Sequence, residues 1–299
     1  MSVIEMQSVI ARLCVDTSFR RAFIQEPEKI LATFDLTGDE AQSLKALDME
    51  SVQDYASSLV GKKMALLQNW LPLSLSYLEQ TSSREKVRHI LRDYSLDTIR
   101  DTEELGGTWV QGEYERLRNY LRQLSADGEI DDPYFADLLE FETTVFLMGI
   151  DQQVSKAAST FADANKEAEV NFTEEFQTSF KPVLGQHVCV RGFNYDVGEL
   201  ITCLEAKQPL PELQREETWV LFFKIPHSVK AETHTINLPL KDLLEMCGGA
   251  LSIKQIITTI AAKYAGPDGT AAELADDCLQ ILEQLYAYGA VIFAPVGRA

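Results

Sequence analysis

The chain has 299 residues, 45% of them hydrophobic, and a formal net charge of −19, which suits two packed domains and excludes a disordered chain. So acidic a surface repels phosphate backbones and gains nothing from counterion release, so nucleic acid is a poor ligand; the acidity reads first as a solubility device and second as an aid to meeting a partly basic peptide or protein. No apolar run reaches the ~20 residues that cross a bilayer, the start MSVIEMQSVIARL lacks the pattern of a secretion signal, and five scattered cysteines suggest no disulfide framework; the expectation is a cytoplasmic protein that engages no membrane.

From Ser8 to Leu31 the apolar positions are spaced for short helices, with Asp16 placed to cap the second and Pro27 to open or interrupt another. Thr37 and Glu40 form a capping box ahead of Leu44 and Leu47. Ser51 to Tyr77 reads as a long helix that Pro72 kinks or ends. A pair follows, Ser83 to Asp93 and Ser95 to Leu105, and Gly106 and Gly107 mark a break. Trp109 to Leu124 is helix-periodic, and Tyr134 to Met148 is apolar over more than one face, as expected of a central helix. Residues 1–150 are therefore expected to form an all-helical bundle. Residues 151–182 read as a helical linker, with Phe172, Phe176 and Phe180 spaced to dock one stripe on a neighbour.

The C-terminal portion, 183–299, opens with HVCVRGF, alternating as a strand with one buried face. Asp196 is placed to cap a helix holding Leu200, Ile201 and Leu204. TWVLFFKI is too apolar on both faces for an ordinary hairpin strand, and Thr233 to Leu238 alternates as a half-buried strand whose other edge has no obvious partner in this sequence. Three amphipathic helices follow. Pro239 suits the first turn of one, Gly248 and Gly249 its exit, and Ser252 with Gln255 makes a second capping box. Gly289 stops the last helix, and AVIF returns as a short strand.

Residue types for catalysis are sparse. The four histidines, His89, His187, His227 and His234, form no metal-binding pair, and there is no C-x-x-C, phosphate loop or nucleophile elbow. The acid clusters Asp101, Glu103, Glu104 and Asp127, Glu129, Asp131, Asp132 read as solvated loops, the second lacking the spacing of a calcium loop. His234 reads as a half-exposed strand residue. No catalytic residue, metal ligand or cofactor is expected.

VLFFKI, then TINLPLKDLLEMCGGALSIKQIITTIAAKY, then LEQLYAYGAVIF resembles the PqqD-like precursor-peptide recognition element. The resemblance covers the last quarter of the chain and implies a winged-helix-like sheet plus three helices. In that family the leader of a ribosomally made precursor adds as a strand to the third strand and lies against the last helix. Carried over, the resemblance implies a binding edge of Thr233, His234, Thr235, Ile236, Asn237 and Leu238, and a groove lined by Leu240, Leu243, Leu244, Ile281, Leu285 and Tyr288. The helical half, with NWLPLSLSYL and DLLEFETTVF, resembles partner subunits of multinuclear non-haem iron oxidative enzymes in peptide natural-product biosynthesis. Its first 50 residues are similar to a small helical unit of ring-opening dioxygenases and of some precursor leaders. Together these imply a mainly α protein with a small β component, an N-terminal all-helical bundle followed by a PqqD-like domain. They also imply a non-catalytic partner that delivers a leader peptide to an iron enzyme. The alternative is a winged-helix DNA-binding regulator, against which the acidic last helix LADDCLQILEQLY stands.

Overall fold

Helix starts follow the capping chemistry of the sequence. The computed structural model describes residues 3–97, 109–166, 170–265 and 271–296, and the chain is mainly α with a small β component. It divides into two compact units, Met1–Phe135 and Ala136–Ala299.

The first unit carries α1 (Val3–Val15), α2 (Thr17–Gln25), α3 (Pro27–Leu31), α4 (Gly38–Lys45), α5 (Met49–Trp70), α6 (Pro72–Thr81), α7 (Arg84–Asp97) and α8 (Trp109–Ala126). Asp16 Oδ1 accepts from the Phe19 amide at 2.7 Å at the start of α2, Pro27 sits in the first turn of α3, and Thr37 and Glu40 bond reciprocally at α4. These helices close on Val9, Leu13, Phe19, Phe23, Leu31 and Leu44. Pro72 opens α6 after Leu71, because a proline ring fits a first turn and not a helix interior. The sequence suggests a break after Asp93, yet α7 runs on to Asp97. The expected Gly106–Gly107 break and the Asp101, Glu103, Glu104 cluster lie outside the described residues. In the second acid cluster Asp132 has a structural task, accepting from the Tyr77 hydroxyl and, at 2.9 Å, from the Tyr134 amide.

The second unit begins at Ala136, one residue into α9 (Phe135–Ile150), so the division falls at 135/136 where the sequence suggests 150. It continues through α10 (Gln152–Lys166), α11 (Glu174–Ser179), β1 (Phe180–Leu184), β2 (Val188–Phe193), α12 (Val197–Glu205), β3 (Thr218–Lys224), β4 (Ala231–Ile236), α13 (Leu238–Met246), α14 (Ile253–Tyr264), α15 (Ala271–Ala287) and β5 (Val291–Pro295). Lys181 and Pro182, at the expected domain boundary, lie inside β1, which pairs antiparallel with β5. The segment read as a linker is docked. Asn165 of α10 donates to the Tyr286 and Val291 carbonyls at 2.6 and 3.0 Å, and Phe176 stacks on Phe180 and meets Phe293 edge-on.

Strands β2, β3 and β4 form one antiparallel sheet in that order. Both faces of β3 are covered, which is why TWVLFFK reads as apolar throughout. On one face Val220 and Phe222 pack with Phe141 and Met148 of α9, with Phe193 and with Val197 of α12. On the other, Leu221 and Phe223 join Leu243, Leu244, Ile256, Ile260 and Leu282 of the three C-terminal helices. The α9 face is fastened by buried polar contacts. Lys224, 1% exposed, donates from Nζ to the Gly149 carbonyl at 2.7 Å at the negative end of α9. Asp137 accepts from the Asn194 and Tyr195 amides at 2.6 and 3.1 Å.

Candidate functional site at the open sheet edge

β4 ends opposite Trp219, one residue short of the start of β3. Ile236 closes the strand, Asn237 then caps α13 by accepting from the Leu240 amide at 3.0 Å, and Leu238 is already helical. The edge read as Thr233–Leu238 is therefore Ala231–Ile236. Its last two expected members are corrected, because an N-cap side chain and Pro239 in the first turn pre-empt continuation of the strand.

Hydrogen-bond phase decides which backbone groups this edge presents. The Ile225 amide donates to the Lys230 carbonyl at 3.2 Å and the Lys224 amide to the His187 carbonyl at 3.0 Å. In an antiparallel ladder, opposed residues alternate between bonded and non-bonded pairs. With Phe223 opposite Glu232, Leu221 opposite His234 and Trp219 opposite Ile236, those three β4 residues turn their amides and carbonyls inward to β3. Ala231, Thr233 and Thr235 turn theirs outward, and no strand lies beyond them among the described residues.

Side chains follow the same alternation. Glu232, His234 and Ile236 share the face of Phe223, Leu221 and Trp219, and Thr233 and Thr235 share that of Phe222 and Val220. On the first face a groove of about 360 Å³ runs between β4 and α15. Of the residues expected there, His234, Thr235, Ile236, Leu240, Ile281, Leu285 and Tyr288 border it. Thr233 faces away, Asn237 is spent on its cap, Leu238 opens α13 at the surface, and Leu243 and Leu244 are each 1% exposed and belong to the core beneath. Sequence reading missed Val188, Leu221, Phe223, Glu232, Gln284 and Ala290. Two were within reach of periodicity: Glu232 lies two positions before His234, and Gln284 three after Ile281. Val188 needs β2 placed on β3, a pairing no local pattern gives.

The groove stands on a rigid frame. Tyr288 is 67% exposed at the end of α15, where Gly289 at φ +74° makes a Schellman turn, Ala290 donating to Leu285 at 2.8 Å and Gly289 to Tyr286 at 2.9 Å. His187, wholly buried, holds that turn by donating from Nε2 to the Gly289 carbonyl at 2.9 Å. Its Nδ1 has no partner, so burial holds its pKa below the usual imidazole value and keeps the ring neutral. Under Leu240, Asp242 ties α13 to α14. It accepts from the Lys263 ammonium and, at 2.7 Å, from the Tyr264 hydroxyl, and these donors hold its carboxyl down at about 2.

Charge around the groove is one-sided. Glu232 is its one carboxylate and lies 3.7 Å from His234, both side chains being more than half exposed. Lys241, beside Leu240, does not line the groove: it bonds Glu245 at 2.7 Å and Asp242 at 3.4 Å and sits 4.8 Å over the Trp219 ring at the Ile236 end. Among the described residues no three His, Cys, Asp or Glu side chains converge to hold a metal ion, and no helix is long and apolar enough to cross a membrane. Comparison with protein-family models and with curated proteins finds no match.

Proposed function

We propose that this chain is a non-catalytic, cytoplasmic partner protein that captures the leader of a ribosomally made precursor peptide by strand addition at β4. Backbone pairing supplies affinity for any extended segment, and alternate side chains of that segment enter the groove, where Ile236, Leu240, Ile281 and Leu285 select among sequences. The observation that carries this reading is the coincidence of a strand edge that is unpaired among the described residues with an apolar groove directly beside it. An exposed edge alone is a liability that proteins blunt with charge or proline. This one offers two threonines and an alanine as its outward groups, which invite a partner strand.

The N-terminal helical unit is, on this reading, where a multinuclear non-haem iron oxidative enzyme docks to form a heterocomplex. The chain itself contributes no cofactor and no catalytic group, and the leader held on β4 brings the rest of the precursor to that enzyme.

Ladder phase sets the test. A proline at Ile236 breaks the bond to Trp219 and damages the sheet itself, so it does not isolate the edge. Thr235→Pro removes an outward amide and leaves every β3–β4 bond in place. A fluorescent leader from the precursor encoded beside this gene should bind the full chain at micromolar concentration by anisotropy. Thr235→Pro should weaken it by about tenfold or more, a lost hydrogen bond together with a steric block. No binding, or equal binding by this variant with an unchanged melting temperature, overturns strand addition. Co-purification with the neighbouring iron enzyme tests the second half.

A further inference from the structure

The groove has a polarity that a merely apolar slot would lack. On the face that an added strand shares with α15, β4 presents Glu232, His234 and Ile236 in that order. Apolar neighbours of the groove include Leu240 of α13 and Ile281 and Leu285 of α15. Among the described residues no lysine or arginine borders the groove, and Lys241, next to Leu240, is engaged by Glu245 and Asp242. Ligand side chains that stand opposite Ile236 and His234 therefore meet hydrocarbon and an imidazole, and the one opposite Glu232 meets a carboxylate.

We propose that the captured strand carries two apolar side chains two residues apart, with a lysine or arginine a further two residues along, seated against Glu232. This rests on the strand-addition reading and specifies the ligand that it leaves open. Directly opposed residues on one sheet face lie about 5 Å apart, close enough for an ammonium or guanidinium to reach Glu232 and replace its 3.7 Å contact with His234. Charge of opposite sign across adjacent strands fixes register: a shift by one residue turns all three side chains to the other face. Cationic peptides are also drawn to a chain of net charge −19 as a whole. That general attraction must be separated from the local pair.

The separation comes from a displayed library of random linear peptides selected on the full-length protein and on its Glu232→Lys variant. With the natural chain, lysine and arginine should be enriched at one position spaced by two from a pair of apolar positions. The enrichment should be about threefold to fivefold over aspartate and glutamate, the size an exposed ion pair allows. With Glu232→Lys, the same position should switch to aspartate and glutamate while the apolar pair is kept. Enrichment of basic residues at scattered positions, or a positional preference that Glu232→Lys leaves unchanged, overturns the inference but not strand addition. Selected peptides that bind Thr235→Pro as well as they bind the natural chain overturn both.

Discussion

The two faces of β3 are built from the same short run of sequence and finished differently. Behind Val220 and Phe222, α9 and α12 close a face that includes Phe141, Met148 and Phe193, and two buried polar side chains, Lys224 and Asp137, fasten it; the hollow of about 730 Å³ on that side lies past its margin, between the end of α9 and Val229–Ala231, and leaves Phe222 wholly buried. In front of Leu221 and Phe223, helices α13 to α15 cover the sheet but leave an opening of about 360 Å³ where β4 passes under α15. Covering a strand on both sides stabilises it; leaving one flank short of cover beside an unpaired edge gives up some of that stability at one place. The difference separates residues that hold the protein together from residues that are free to meet a ligand.

The sharpest way to break this contrast is to remove a side chain from the closed face. Phe222 is wholly buried, with ring centroids 5.3 Å from Phe141 and 6.3 Å from Phe193. Phe222→Ala should cost about 3–5 kcal/mol in urea or thermal unfolding, the usual range for a phenylalanine truncated in a core that cannot collapse around it. A loss below about 1 kcal/mol would mean that α9 does not seal that face.

Much of this was legible in the sequence because it is local. The capping boxes at Thr37 and Ser252, the Asp196 cap and the proline that opens α3 each depend on residues within one turn, and each is where the pattern puts it; Pro72, read as kinking or ending a helix over Ser51 to Tyr77, instead opens a separate helix, α6. The two-sided apolarity of TWVLFFK was visible too, although not what covers it: α9 lies far upstream and nothing in its own periodicity names its partner. The β1–β5 pairing was hidden for the same reason. At the groove, helical phase found Ile281, Leu285 and Tyr288 on one side. Strand alternation found His234 and Ile236, but continued the strand through Asn237 and Leu238, where the competing N-cap prevails. Leu243 and Leu244 were put in the groove because burial depth cannot be read from an amphipathic stripe.

A smaller effect probes the support under the open face. His187 binds the Gly289 turn at the end of α15 as a neutral imidazole, with Phe161 and Phe223 around it. Its folded pKa is depressed by burial. Its contribution is therefore fully present above the ordinary imidazole value of about 6.5 and is lost as pH falls below it, because the unfolded chain takes up the proton first. Stability of the full chain should decline between pH 7 and pH 5 by at most about 1.4 kcal/mol per pH unit from this one proton. His187→Gln, which keeps a donor for Gly289, should flatten that slope in urea titrations. Asp242 does not confuse the window: with its carboxyl held at about 2, its contribution is complete above the ordinary carboxylate value near 3.9 and is lost only as pH falls from there. A slope unchanged in His187→Gln assigns the acid sensitivity to other groups.

The smallest expected change in stability carries the most information about the open face. Tyr288 presents an aromatic ring to the groove while remaining two-thirds exposed. Burying such a ring against a ligand is worth about 1.5–3 kcal/mol, and exposed aromatics are frequent anchors of binding. Tyr288→Ala should therefore shift the unfolding midpoint by no more than the equivalent of about 0.5 kcal/mol. It should also lower affinity for a bound leader peptide by about tenfold or more in the same anisotropy assay. If the variant instead unfolds as readily as Phe222→Ala, Tyr288 belongs to the core and the two faces are alike. If it is stable and binds as before, the peptide lies on β4 without reaching α15, and selectivity has to come from the β4 and α13 side of the groove, Glu232, Ile236 and Leu240.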